Sequence, residues 1–358
     1  MELEKKEGHR KKGIILKSKK KFRFWIVTRN SLLAIVGALV ILFIFSHFLT
    51  AYEQKKYPAI GEMVEVDGKN MHIYTKGEGD HTIVLLSGLG TSAPALDFEP
   101  LINEMAKKNK VVVVEPFGYG WSDRTNKERT VENIVEEIRM ALKKSNIGGP
   151  YILMPHSISG IYSMYFAHTY PEEVKAIIGI DPTLPQAFEY FGETSPTMPK
   201  YLRYVAPTGM ARLALYIGPE GFLPIADEGT YSEENLTMTK AISAWNGYNK
   251  NVVKEANEIK RNIDKTVDMN FPTHLPVLFF TTKEQKLNEG GKNNVTFYET
   301  QLTNSPASKI VPLQGHHYLH WTRYKEMSNE VTKFIESYTR TGDIGYLAPI
   351  DLSQQNGL

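Results

Sequence analysis

The sequence predicts an α/β fold: a mostly parallel eight-stranded sheet flanked by helices, carrying a helical insert and preceded by one transmembrane helix. Three observations carry this expectation. Eight short strand-like runs alternate with helical stretches from about residue 61 onward. Several of these runs, such as Val111 to Val114, are apolar throughout, which suits strands buried on both faces and therefore a parallel sheet covered by helices. Finally, 22 residues from Ser31 to Tyr52 carry no formal charge.

Taken in order, residues 1–30 hold eleven Lys/Arg against three Glu, while the rest of the chain holds 31 bases and 37 acids. Nucleic-acid readers carry positive charge on the folded surface. Here it sits in a tail directly before the apolar run, so a nucleic-acid partner is not expected. As a helix, Ser31 to Tyr52 spans about 33 Å at 1.5 Å per residue, enough for a hydrocarbon core of about 30 Å. The basic excess before it keeps residues 1–30 cytoplasmic, and the positive-inside rule sends everything after it outward. The run is longer than the apolar region of a cleaved signal peptide and ends in HFLTAY rather than a small-x-small site. It lacks the polar face of a buried globular helix. The resulting expectation is a cytoplasmic tail (1–30), a transmembrane helix (31–52), a linker (53–60), an α/β domain outside the cytoplasm (61–338) and a C-terminal tail (339–358).

The absence of cysteine excludes disulfides, thiolate zinc sites and thiol nucleophiles. Strands are expected at EMVEV near 62, NMHIYTK near 70, TIVLLSG near 82, VVVVEP near 111, YILMP near 151, AIIGI (176–180), PVLFFTT (276–282) and SKIVPL (308–313), with helices over 98–108, 130–145 and 324–338. About 95 residues separate the strands at 176 and 276, far more than a crossover needs. They hold an insert, about 183–270, with helical segments near 198–217, 233–246 and 251–264. Its aromatics include Phe188, Phe191, Tyr201, Tyr204, Tyr216, Trp245 and Tyr248. Most are expected to pack the insert onto the domain, and together they suit the wall of an apolar pocket.

The chemistry is expected where the strand Tyr151 to Met154 runs into Pro155-His156-Ser157-Ile158-Ser159-Gly160 and a helix follows. A serine between strand and helix is the setting of a nucleophile elbow, a strained turn that exposes the hydroxyl above the sheet. Small residues flank such a serine at two places on either side because strand and helix approach closely. Pro155 and Ser159 occupy the places that glycine usually takes.

With LLSGLG at 85–90, FGYGWSDR at 117–124, PHSISG at 155–160 and GHHYLH at 315–320, the chain resembles the α/β-hydrolase family over about 61–338. The resemblance implies Ser157 as nucleophile and His317, two residues after Gly315, as base. His316, His320, His156 and His168 are left as structural. For the acid it implies Asp181, in a Gly-Ile-Asp-Pro turn after the sixth strand, with Glu284 after the seventh strand as the alternative. The oxyanion donors it implies are the backbone N–H groups of Leu89 and Ile158. Trp121 and Asp123 are read as structural members of their loop. No metal or organic cofactor is expected.

The implied activity is serine hydrolysis of an ester or related carbonyl compound, small-molecule or lipid-like, through an acyl-enzyme. A proline-iminopeptidase-like peptidase is the alternative enzyme, and a non-catalytic hydrolase-like binding protein the rival from another class. Sequons at Asn235 and Asn294 are read as chance occurrences.

Overall fold

The strand-like runs become β1 (Glu62–Val66), β2 (Lys69–Lys76), β3 (Thr82–Leu86), β4 (Lys110–Val114), β5 (Tyr151–Pro155), β6 (Val174–Ile180), β7 (Val277–Thr282) and β8 (Lys309–Leu313). In the computed structural model, which describes residues 2–283, 287, 288 and 290–342, they form one sheet in the order β1-β2-β4-β3-β5-β6-β7-β8. β1 and β2 form a hairpin through Asp67-Gly68, whose φ values of 51° and 70° suit a turn that matches strand twist. β2 is antiparallel to β4, and every pairing from β4 to β8 is parallel.

The apolar strands are buried on both faces, as their composition requires. Successive side chains alternate between faces, so Val112, Val114 and Leu153 join one core with Ile134, Val135 and Ile138 of α4 (Val131–Lys144). Val111, Val113 and Ile152 join another, with Leu101 and Ile102 of α3 (Glu99–Met105) and Met327, Val331 and Phe334 of α12 (Tyr324–Gly342). Thr130 caps α4 by accepting the Asn133 N–H, and Lys143 and Lys144 fall in its last turn, where cations complement the helix dipole.

The chain leaves β3 toward β4 and then returns to the other side of β3 as β5. This reversal opens a crevice at the carboxyl ends of β3 and β5, the usual place for ligands in open α/β sheets. Three short helices, α2 (Pro94–Asp97), α10 (Asn294–Glu299) and α11 (Leu319–Thr322), are too brief for periodicity to reveal. α5 (Ser159–Thr169) follows the elbow.

Between β6 and β7 lie α6 (Ala187–Phe191), α7 (Met210–Ile217), α8 (Glu233–Asn246) and α9 (Lys250–Thr266). The helix expected over 198–217 is broken. A 3-10 turn at Lys200–Tyr204 is separated from α7 by Pro207 and by Gly209 at φ 81°. The expected packing of the insert's aromatics holds for Trp245, Phe188 and Phe191 but fails for Tyr201, Tyr204 and Tyr216, which are exposed.

The N-terminal helix α1 runs from Glu2 to Lys56, so the expected linker is helical over its first four residues. It contains one stretch, within Lys21–Lys56, long and apolar enough to cross a membrane, and almost none of that stretch is covered by the protein. α12 extends to Gly342, four residues past the expected end of the closing helix. Residues 343–358 lie outside the described residues.

Candidate active site

Ser157 stands just after β5 at φ 53°. A serine with positive φ is strained by about 1–3 kcal/mol and persists only where its surroundings hold it. Here its N–H donates to the Ile180 carbonyl (3.2 Å), and its carbonyl accepts from Gly160 (2.9 Å) and Thr183 (2.8 Å). The departures from the usual glycines have local reasons. Ser159 is buried and its hydroxyl donates to the Ser87 carbonyl at 2.5 Å, tying α5 to the loop after β3. The close approach falls on Gly160 instead, where a Cβ would lie 2.5 Å from the Thr183 carbonyl oxygen.

Asp181 follows the adjacent strand, β6, and is likewise at positive φ, 42°. Gly179 is required in this turn because Pro182 folds back to within 2.4 Å of where its Cβ would be. The Asp181 carboxylate is buried. One oxygen lies 2.7 Å from His317 Nδ1, and the other accepts from Thr281 Oγ1 (2.9 Å) and Asn294 Nδ2 (3.2 Å), with Tyr298 Oη at the limit of contact (3.5 Å). These donors offset the desolvation of a buried carboxylate. They also explain the Asn294 sequon, whose side chain is already engaged; Asn235 is similarly committed, donating to the Leu96 carbonyl at 3.1 Å and Glu99 at 2.9 Å. The alternative acid, Glu284, lies outside the described residues.

His317 follows β8. Because a carboxylate faces Nδ1, that nitrogen carries the proton and Nε2 keeps its lone pair, the tautomer a general base needs. The loop is held from below by His156, whose Nε2 donates to the His317 carbonyl (3.2 Å) and whose ring lies 4.8 Å from that of His317. Burial, reinforced by the neighbouring His320 and His317, holds His156 well below the ordinary histidine range, so it stays neutral. His316 accepts the Tyr318 N–H (3.1 Å), and His168 contacts the Asn270 carbonyl (3.3 Å) at the far end of α5.

One element escaped the sequence reading. Buried His320 pairs through Nε2 with Asp97 (2.7 Å), which also accepts from Trp321 Nε1 (2.8 Å) and, through its carbonyl, from Tyr231 Oη (2.7 Å). This second His-Asp pair braces the histidine loop against α2 and the insert. The 223-residue separation of His320 and Asp97 leaves no local signal.

Gly88, the residue before Leu89, comes so close to the elbow that a Cβ there would lie 3.1 Å from Ser157 Cβ, and Ile158 follows the serine directly. Among the described residues neither the Leu89 nor the Ile158 backbone N–H donates to another protein group. The loop of Leu89 is fixed by Gly90, whose N–H donates to Tyr119 Oη (3.3 Å); Tyr119 donates in turn to the buried Glu255 of α9 (2.8 Å), as does Tyr162 (2.7 Å). Burial raises the Glu255 carboxyl above its ordinary range and both phenols well above theirs. In the loop after β4, Asp123 accepts the Asn70 N–H (2.8 Å), and Glu115 accepts from the Trp121 N–H (2.8 Å). That is a structural arrangement.

Two cavities of about 210 Å³ border this cluster. One lies beside Asp181 and His317 and is walled by Phe188, Phe191 and Phe297. The other lies beside Leu89 and Tyr318 and is roofed by Met198, Phe222 and Leu223 of the insert. Larger cavities of about 520 and 1030 Å³ touch neither histidine loop nor elbow, so volume alone does not locate the chemistry. Among the described residues no group of three or more His, Asp or Glu is gathered as metal ligands are.

Comparison with known proteins agrees with this architecture. Residues 81–214 match the family model described as the alpha/beta hydrolase fold. The uncharacterized protein YbdG of Bacillus subtilis is 33% identical over 296 residues, covering 79% of this chain and 89% of that protein. The human serine hydrolase BPHL is 31% identical over 123 residues, 32% of this chain and 40% of that protein. Among solved structures, epoxide hydrolase VrEH1 from Vigna radiata superposes with a TM-score of 0.59 at 19% identity, over 77% of this chain and 97% of that one. With its eight-stranded sheet, its elbow and a relative matched along most of its length, the chain belongs to the α/β-hydrolase fold family.

Proposed function

We propose that this protein is a membrane-anchored serine hydrolase that cleaves carboxylic esters through an acyl-enzyme, with Ser157, His317 and Asp181 as its triad. The observation that carries this reading is the 2.7 Å contact between Asp181 and His317 Nδ1, beside a serine held at positive φ on the neighbouring strand end. In the first step His317 Nε2 takes the Ser157 hydroxyl proton as Oγ adds to the substrate carbonyl, and Asp181 stabilises the imidazolium. The oxyanion receives the Leu89 and Ile158 N–H groups, each worth about 3 kcal/mol in the transition state. Collapse expels the alcohol, which leaves with the proton from His317. Water, deprotonated by the same nitrogen, then attacks the acyl-enzyme and releases the acid and free serine.

The epoxide hydrolases among the structural neighbours share the fold, and a serine at the elbow distinguishes this chain's chemistry from epoxide opening. Serine attack on an epoxide carbon forms an ether, which has no carbonyl for water to attack and would not turn over. Serine attack on a carbonyl forms an ester, which does. The two cavities on either side of the cluster suit separate acyl and alcohol portions.

The Lys/Arg excess before the apolar run supports a cytoplasmic N-terminus, with the hydrolase domain on the opposite side of the membrane. Protease added to intact cells then degrades the domain and spares the tail; a protected domain overturns this orientation. For the chemistry, a fluorophosphonate probe is expected to label the full chain at Ser157 and p-nitrophenyl esters to turn over. Labelling that persists in Ser157→Ala overturns the assignment.

A further inference from the structure

Toward its C-terminal end α1 meets α8 and, from Leu42 to Glu53, the start of α7. Gly209, just before α7, approaches so closely that a Cβ there would lie 2.9 Å from Ser46 Cβ and 3.1 Å from Leu42. Arg212, one turn on, makes a two-pronged ion pair with Glu53 (2.7 and 2.8 Å) and donates to Thr50 Oγ1 (3.1 Å). Both members of the pair are largely covered, at 14% side-chain exposure each. A guanidinium pairing bidentately with a carboxylate fixes orientation as well as distance, so the insert is held to α1 in one pose.

This pose sets the height of α7. Ser46 and Leu42 lie six and ten residues before Tyr52, the end of the uncharged run, or about 9 and 15 Å along a helix. The start of α7 is therefore level with the second half of the apolar run, below its end. α7 itself is MARLALYI, and its one charged residue, Arg212, is turned to α1. The face it leaves uncovered, Met210, Leu213, Ala214, Tyr216 and Ile217, is apolar apart from one phenol; Tyr216 is 89% and Ile217 76% exposed. Tyr201 and Tyr204, also exposed, precede it. An apolar helix face flanked by tyrosines has the composition of a membrane-interface element; its first turn adjoins the apolar run of α1, and Leu215 and Tyr216 lie level with the end of that run, beside Tyr52 and Lys56.

The geometry points to α7 as a second membrane-associated element, its apolar face seated at the interface of the leaflet nearer the hydrolase domain. This inference rests on the reading that α1 crosses the bilayer. It gives the exposed tyrosines of the insert a partner, a lipid surface.

The chain has no cysteine, so a single introduced thiol can be labelled uniquely. Full-length Leu213→Cys, Ile217→Cys, Val40→Cys and Lys260→Cys would each be labelled with an environment-sensitive fluorophore and reconstituted into phosphatidylcholine vesicles, with and without lipids bearing a nitroxide near the headgroup or deep in the chain. Labels at 213 and 217 are expected to be quenched several-fold more than the label at 260, on the exposed side of α9, with the shallow nitroxide more effective. The label at 40 is expected to respond best to the deep nitroxide. Quenching at 40 without quenching at 213 and 217 overturns the seating of α7 while leaving the anchor intact. Absence of quenching at 40 overturns the spanning reading and the inference with it.

Discussion

If Asp181 orients His317, then Asp181→Asn disables the base while keeping its shape, and the structure fixes how. The carboxylate oxygen that faces Thr281 Oγ1 and Asn294 Nδ2 accepts from both, while the Tyr298 hydroxyl nearby gives its proton to the Pro182 carbonyl at 2.8 Å. An asparagine must therefore place its carbonyl oxygen there. The opposite orientation would set an NH₂ against the Asn294 amide and forgo the hydrogen bonds that Thr281 and Asn294 now donate, at about 0.5–1.5 kcal/mol each. The amide NH₂ is thereby directed at His317 Nδ1, 2.7 Å from the replaced oxygen. Nδ1 must accept, the proton moves to Nε2, and the nitrogen that should take the Ser157 proton no longer can. Loss of the charge opposing the imidazolium adds to this, and turnover is expected to fall about 10⁴-fold, by analogy with other triads, which corresponds to about 5.4 kcal/mol of barrier. The assay is p-nitrophenyl acetate turnover by purified full-length protein in detergent, with thermal unfolding as the control for folding. Glu284→Gln serves as comparator and is expected to cost less than about tenfold. A folded Asp181→Asn protein that retains more than about a tenth of wild-type turnover would refute the assignment, and a large loss in Glu284→Gln instead would move the acid to the end of β7.

Ser157→Ala is expected to abolish turnover and probe labelling while changing stability by no more than about 1 kcal/mol, measured by urea unfolding, because only a half-buried hydroxyl is removed; residual turnover would send the nucleophile elsewhere. Gly160→Ala places a methyl 2.5 Å from the Thr183 carbonyl oxygen, so the turn after β6 must shift, and a stability loss of about 1–3 kcal/mol with slower probe labelling is expected; wild-type labelling kinetics would show that the contact is soft. The Glu255 carboxyl is raised by burial, so the native state keeps this proton to higher pH than the unfolded chain. Wild-type stability relative to Glu255→Gln should therefore fall as pH rises from the ordinary carboxylate range through the raised value and then level off. Urea midpoints of the two proteins from about pH 4 to about pH 8 check this, and a rising difference would contradict it.

What the sequence made legible follows from the range of the interactions that specify it. The strands were visible because alternate residues of runs such as Val111 to Val114 face two different cores, which forces an unbroken apolar pattern. The break between Tyr204 and Met210 was written in Pro207 and Gly209 but hidden by the helical composition around them. Helices of one turn, such as α11, carry no period to read. The pairing of His320 with Asp97 and the relay from Gly90 through Tyr119 to Glu255 join residues more than a hundred positions apart, so no window of sequence contains them. The packing of α1 on the insert was missed for the same reason: Glu53 reads as a linker residue until Arg212, 159 positions later, is brought beside it.

If Asp181 is the acid, as proposed, its place after β6 has a mechanical consequence. Ser157 and Asp181 both sit at positive φ immediately beyond neighbouring strands, and neither conformation is stable by itself. The Ser157 N–H donates to Ile180, the residue before the acid, and the Ser157 carbonyl accepts from Thr183, two residues after it. The turn that strains Asp181 is thus the same turn that clamps the elbow, and His156 continues the pairing with Ile180 as one further bridge. Ser157 and Asp181 are therefore joined in one hydrogen-bonded unit whose geometry is set by the β5–β6 register. The histidine arrives separately, on a loop whose position depends on His156 holding the His317 carbonyl and on Asp97 holding His320 and Trp321. The histidine loop is tied in turn to the insert, since the Asp97 that holds it also accepts from Tyr231 Oη, so its position is set by contacts different from those that set the spacing of Ser157 and Asp181.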